Sequence, residues 1–301
     1  MKQLAVIFLM LMSSLPQPAR AGEFHTEITV FERGDHPNML REWIELAKQG
    51  EAVAQYNVGF LYDQGLGTKE NNTLALRWFR RAAKQDYVPA VHALGILYAT
   101  AEGVKRNDKR AVEYYRRAAE QEYADAQYML AAMYAEGRGV EQDDREAARW
   151  YLKSSEQGHV EAMNNLGWVH ANGRGVEQDY VEAARWYMAA SEQGNPASQL
   201  NLGLLYLNGR GVEQDDDVGA MWIRMAAAHR NLQARKTMGY LYLDGRGVKA
   251  DRVHAYMWLT LAARQGDEHA AATSRELATK LTEDEIARAH RIAAVWDSDE
   301  E

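Results

Sequence analysis

Across residues 159–194 the apolar positions fall into two helical runs with a break between them. Ala162, Leu166, Val169 and in part Trp168 recur at helical spacing. Gly173-Arg174-Gly175-Val176-Glu177-Gln178 then interrupts them, and Ala183, Ala184, Trp186, Tyr187 and Ala190 resume the pattern. The prediction is a helix, a loop and a second helix. The design returns with a step of 36 positions, carried by Ala54, Ala90, Ala126, Ala162, Ser198 and Ala234, and by the loop glycines Gly67, Gly103, Gly139, Gly175, Gly211 and Gly247. Trp78, Tyr114, Trp150, Trp186, Trp222 and Trp258 keep the same phase, as do Ala75, Ala111, Ala147, Ala183 and Ala255, with Gly219 as the substitute. A period of roughly 20 to 50 residues is the signature of a solenoid, whose units bury their apolar faces by stacking on neighbours. Six full units follow, at 51–86, 87–122, 123–158, 159–194, 195–230 and 231–266. A seventh starts at Asp267 and decays.

Each second helix carries a start signal. Asn71, Asn107, Asp143, Asp179, Asp215 and Asp251 share one register, and all are Asx residues able to accept from the free N–H groups of a first turn. Glu146 and Glu182, three residues beyond Asp143 and Asp179, fit a capping box. Gly158, Gly194 and Gly266 supply left-handed stops, a position held by Asp86, Glu122 and Arg230 in the other units. Asn195-Pro196 reads as an N-cap followed by proline at the first helical position. Inside the first helix, Gly59, Gly95, Gly167, Gly203 and Gly239 occupy one register, replaced once by Ala131. An interior glycine costs about 1 kcal/mol against alanine, so close helix contact is expected there.

These residues resemble the Sel-one-like repeat family, a branch of the tetratricopeptide superfamily. Its pattern is read in Ala162-Met163-Asn164-Asn165-Leu166-Gly167, Gly173-Arg174-Gly175-Val176, Asp179 and Ala183-Ala184-Arg185-Trp186-Tyr187, and the likeness covers 51–266. Departures are local: His170 stands in the register of Tyr62, Tyr98, Tyr134, Tyr206 and Tyr242, Ala101 replaces a loop glycine, and Thr68 replaces the loop valine. The fold expected is all-α, a right-handed solenoid of antiparallel helix pairs.

The ends are read as caps. Residues 22–50 hold two N-terminal capping helices, a short one near Glu23–Arg33 and a second with Leu40, Trp43, Ile44 and Ala47, joined by a turn at Gly34-Asp35. Residues 267–297 hold the degenerate unit and a final helix opened by the capping box Thr282-Glu283-Asp284-Glu285 and carrying Ile286, Ala289, Ile292, Ala293 and Trp296. An acidic tail, 298–301, follows. Residues 1–21 read as a signal peptide: Lys2, the apolar stretch Leu4–Met12, too short to span a bilayer, and Ala19-Arg20-Ala21 before a mature start at Gly22. No other segment approaches a membrane span. With no cysteine there is neither a disulfide nor a thiol for lipid attachment, so a periplasmic or secreted location is expected.

The formal net charge is −8, and loss of Lys2 and Arg20 makes it more negative by two. Nucleic acid and anionic membrane surfaces are therefore poor partners. Catalytic motifs are missing: no Gly-x-Ser-x-Gly elbow, no His-Glu-x-x-His, no P-loop lysine and no cysteine nucleophile. The histidines, including His92, His159, His170, His254 and His269, scatter among registers instead of converging as a zinc site requires. Glu213-Gln214-Asp215-Asp216-Asp217 lacks the spaced oxygens and glycine of a calcium loop and reads as a helix cap beside solvated charge. No cofactor is expected.

Tryptophans in fixed registers, with Phe79, Tyr115, Tyr151 and Tyr187 beside them, suit packing between units. First-helix positions that vary are the better binding candidates, because the superfamily likeness implies that this helix lines the concave side. They are Tyr56, Phe60, His92, Ile96, Tyr128, Asn164, Trp168, Leu200, Leu204, Lys236 and Tyr240, with Asn165 and Asn201 available to a peptide backbone. The function expected is a non-catalytic adaptor of the cell envelope that binds a peptide or partner domain. The resemblance leaves an enzyme acting on cell-wall material or β-lactams as the alternative, disfavoured by the missing cysteines and nucleophile–base pair. A metal-responsive regulator has the acidic loops as its sole support.

Overall fold

The computed structural model describes residues 36–298, and among them lie fifteen helices and no strand. The expected signal peptide, the capping helix near Glu23–Arg33 and the Gly34-Asp35 turn lie outside the described residues. Contacts divide the chain after Arg106 into two compact units. The first holds α1 (His36–Gln49), α2 (Ala52–Gln64), α3 (Asn72–Ala83) and α4 (Val88–Thr100), each packed on the next. The second holds α5 (Asp108–Ala119), α6 (Ala124–Glu136), α7 (Asp144–Glu156), α8 (Val160–Asn172), α9 (Tyr180–Glu192), α10 (Pro196–Asn208), α11 (Asp216–Ala228), α12 (Leu232–Asp244), α13 (Arg252–Arg264), α14 (Glu268–Ala278) and α15 (Glu283–Ser298). Here too each helix packs on its successor up to α14, while α15 turns back onto α13. The architecture is an all-α solenoid.

The predicted second-helix caps all form. The side chain of Asn71 accepts from the N–H of Leu74 at 3.0 Å, Asn107 from Arg110 at 3.1 Å, Asp143 from Glu146 at 3.1 Å, and Asp179 from Glu182 at 3.1 Å. Asp215 accepts from Val218 at 2.9 Å and Asp251 from His254 at 3.1 Å. The capping boxes read at Glu146 and Glu182 do not form. The N–H groups they would have satisfied are already bound: Asp143 donates to the Tyr134 carbonyl at 3.1 Å and Asp179 to that of His170 at 2.9 Å. Those bonds tie the start of each second helix to the last turn of the first, which fixes the pair as antiparallel. Freed from capping, Glu146 pairs with Arg149 and Glu182 with Arg185 one turn along. At Thr282 the box does close, with its N–H donating to Glu285 Oε2 at 2.8 Å and the Glu285 N–H donating to Thr282 Oγ1 at 3.3 Å.

Packing accounts for the interior glycines. A β carbon on Gly59 would stand 2.7 Å from the Phe79 ring, and one on Gly239 would stand 2.6 Å from Leu259, on the second helix of the same pair. Small residues continue this close fit: Ala54, Ala75, Ala126, Ala147, Ala162, Ala183, Ala234 and Ala255 are buried. The core of the first unit includes Met39, Leu40, Trp43, Ala47, Val58 and Leu61, so α1 is an apolar cap on α2.

Candidate protein-binding face

The varying first-helix positions separate into distinct environments. In the first unit Tyr56 packs on Phe79 and Tyr87, with ring centroids 5.5 and 5.4 Å away, and Phe60, His92 and Ile96 are half-buried. In the second unit Tyr128 stacks on His159 at 4.6 Å and 20°. Asn164 accepts from Ser198 Oγ at 2.9 Å, and the Lys236 ammonium meets the Asp267 carboxylate at 2.8 Å. Tyr240 lies with its hydroxyl 3.3 Å from Thr273. Leu200 is buried, and Leu204 packs half-buried against the same core. Most of these residues therefore join one helix pair to the next. Trp168 differs, being 47% exposed.

Beside Trp168 lies a cleft of about 230 Å³ lined by Ala135, Asp144, Ala147, Tyr151, Asn165, Trp168, Val169 and Arg174. Three helices and one loop build it. Helix α8 supplies Asn165, Trp168 and Val169, and α7 supplies Asp144, Ala147 and Tyr151. Ala135 comes from the end of α6, and Arg174 from the loop after α8. That loop turns at Gly173, whose φ of 65° is left-handed, and the Arg174 N–H donates back to the Val169 carbonyl at 3.0 Å. The turn aims the guanidinium at Asp144. Two parallel bonds result, Nε to Oδ2 at 2.9 Å and Nη2 to Oδ1 at 3.0 Å, and the same guanidinium stands 5.8 Å from the Trp168 ring centroid. The bond from Arg174 holds the Asp144 carboxyl below the usual range.

The floor of the cleft is phenolic. Burial pushes the Tyr151 phenol up to about 12, against a hydrogen bond from Asn165 that favours the ionised form. Burial also raises Tyr128, again opposed by Asn165. Asn165 thus joins the two rings, whose centroids are 5.9 Å apart, to the wall that carries Trp168. The surface offers an indole face, a paired guanidinium and carboxylate, an amide and a phenol. These groups bind by stacking and hydrogen bonding. A space this small falls below the roughly 300–1,000 Å³ of sites that enclose a drug-sized molecule, and suits one or two side chains.

The Arg174–Asp144 pair belongs to a series that the sequence reading passed over. Arg138 meets Asp108 at 3.4 Å and Arg246 meets Asp216 at 3.0 Å, each pair separated by the same number of residues. Where Tyr180 replaces the aspartate, Arg210 lies over its ring at 5.4 Å. The shared register of Arg138, Arg174, Arg210 and Arg246 was the available signal. Among the described residues no group of three or more His, Asp or Glu could hold a metal ion, and no helix is long and apolar enough to cross a membrane.

A family model described as Sel1 repeat matches residues 52–87, 88–123, 124–159, 160–195, 196–231 and 238–267. No curated protein matches the chain. Among solved structures, it is similar to a protective antigen of uropathogenic Escherichia coli strains displaying an SLR fold, with 35% identity and a TM-score of 0.76. That match covers 85% of this chain and 56% of the antigen, so the chain spans little over half the antigen's length. It is also similar to a Sel1 repeat protein from Oxalobacter formigenes, with 29% identity, a TM-score of 0.71, and 79% of this chain covering 95% of that one.

Proposed function

The chain belongs to the Sel1 repeat family, and from that premise we propose that it is a non-catalytic protein-interaction scaffold which holds a peptide segment of a partner against Trp168. Sel1 repeat proteins are in general protein-interaction scaffolds, which supports the class of function. The observation that carries the finer reading is the half-exposed indole beside a small cleft, in a register whose other members are largely used for packing. Tryptophan and arginine dominate binding energy at protein interfaces because they bury a large area around a few polar anchors. Here Trp168 is the anchor, and Asn165 and the Arg174–Asp144 pair are the polar rim. A cell-envelope location belongs to the same proposal and rests on Lys2, Leu4–Met12 and Ala19-Arg20-Ala21.

Display selection of random peptides on the purified protein, followed by titration of the winners, tests the reading. Peptides selected on the native protein are expected to bind Trp168→Ala at least tenfold more weakly, in line with a loss of about 2 kcal/mol at an aromatic anchor. Winners that bind the variant with unchanged affinity would remove Trp168 from the site. Location is tested separately: envelope fractions should contain a chain beginning at Gly22.

A further inference from the structure

The outward registers of the second helices change character along the second unit. In α7 they hold Arg149 and Lys153, whose cations stand 5.7 and 4.5 Å from the Trp150 ring centroid, and in α9 Arg185 stands 4.8 Å from that of Trp186. In α11 the positions equivalent to Arg149 and Lys153 are Met221 and Met225, exposed by 40% and 41% on either side of half-buried Trp222. In α13 they are Met257 and Leu261, exposed by 1% and 0%.

What buries the α13 pair is α15. Ala289 and Ala293 are fully buried in one cluster with Val253, Met257, Trp258 and Leu261, and the ring of Trp296 lies 4.9 Å from that of Trp258. Ile286, Ala289, Ala293 and Trp296 follow one another at helical spacings, so α15 is amphipathic, with alanines that let its backbone approach closely. The register holds Arg149 and Lys153 in α7, Arg185 with Ala189 in α9 and Glu113 with Arg117 in α5, and it is apolar at both positions in α13, where a helix covers it. Helix α11 has the apolar form, yet among the described residues of the second unit no helix covers Met221 and Met225, which stay exposed.

We infer that the face formed by Met221, Trp222 and Met225 docks one amphipathic helix of a partner protein, bearing alanine-sized residues four positions apart and an aromatic edge, seated on α11 as α15 is seated on α13. Methionine suits the task, since its unbranched thioether adapts to the helix that arrives. The surface is separate from Trp168 and does not depend on it. It continues a face the fold already uses, and supplies the same Met–Trp pattern to its occupant.

The probe is a fluorescently labelled synthetic peptide of residues 283–298, titrated by anisotropy into the full chain. Saturable binding to the native protein is expected, with at least tenfold weaker binding to the double variant Met221→Arg, Met225→Lys. That variant restores the side chains α7 carries at the same positions, so its melting temperature should be unchanged. Peptide with Ala289→Glu and Ala293→Glu is expected not to bind, and Trp168→Ala protein is expected to bind the native peptide normally, which separates this surface from the cleft. Three results would overturn the inference. One is no saturable binding. Another is equal affinity for the double variant, which would mean that the peptide exchanges onto α13. The third is a native dimer by light scattering that the double variant turns into a monomer, which would make a second copy the occupant.

Discussion

The ring of Tyr187 lies so close to Gly167 that a β carbon there would stand 2.7 Å from its Cδ1 and Cε1. The glycine is on α8 and the tyrosine on α9, so this contact sets the separation of one helix pair. Phe79 stands in the same relation to Gly59, and Ile223 to Gly203. Two effects of Gly167→Ala oppose each other. Helix propensity favours alanine by about 1 kcal/mol, while overpacking a tight core costs typically about 1–3 kcal/mol. The ring face has less freedom to yield than the tip of a flexible chain, so overpacking should win by about 1 kcal/mol. Thermal denaturation of the variant measures the sign, and a stabilised protein would show that the pair was not in close contact.

Ala101 occupies a position where the other units place glycine, and its φ of 69° is left-handed. A side chain in that region costs about 1–2 kcal/mol. Glycine removes the cost and adds about 0.5–1 kcal/mol of unfolded-chain entropy. Ala101→Gly should therefore stabilise the first unit by about 0.5–1 kcal/mol, read as a higher urea midpoint with an unchanged slope. An unchanged or lower midpoint would mean that the turn relaxes around alanine without strain.

The order of helices was legible because its determinants are local. The residue at Asp143 or Asp179 caps the turn that directly follows it, and the alanine and glycine registers repeat with the helices they pack. The capping boxes at Glu146 and Glu182 were misread for a reason that is not local: the N–H each glutamate would have bound is taken by a carbonyl of the preceding helix. Arg174 and Asp144 were missed because they lie in successive units and meet only once those units stack. Depth was equally hidden. Leu200 and Trp168 both lie on first helices and were both binding candidates, yet one is 8% exposed and the other 47%. Periodicity says which face of a helix a residue occupies, but the neighbouring pair decides how much of that face remains open.

Asp63 should weaken the fold at neutral pH. Its Oδ1 is buried without a hydrogen-bond partner, Gln64 donates to Oδ2 at 2.8 Å, and burial raises its pKa, assisted by the charges of Glu102 and Glu70. A carboxyl raised in the folded state supports the fold in its protonated form, fully below the unfolded value near 3.9, and that support is lost as pH rises through the folded value. The equivalent positions are all apolar, Ala99, Ala135, Ala171, Leu207 and Leu243. Asp63→Ala is thus expected to raise stability at pH 7 by about 1 kcal/mol, the lower end of the cost of an unsatisfied buried group. The gain should shrink as the pH is lowered towards 4. A gain that persists undiminished in acid would point to packing instead of charge.

Asp144 separates folding from binding in the cleft. Its pair with Arg174 is partly exposed, and such pairs contribute about 0–1 kcal/mol, so Asp144→Asn should leave the melting temperature nearly unchanged. Its effect on recognition should be larger. With the carboxylate gone, the guanidinium beside Trp168 keeps its charge and has donors to spare for a ligand. Peptides that carry Asp or Glu next to the residue seated on the indole should then bind severalfold more tightly to the variant than to the native protein, while neutral peptides should not. The gain should fade as salt is raised, since an ion pair between partly exposed groups is weakened by screening. Titration of matched acidic and neutral peptides at two salt concentrations reads both effects. Equal changes for the two peptides would mean that Asp144 orients the cleft sterically and that Arg174 does not face the ligand.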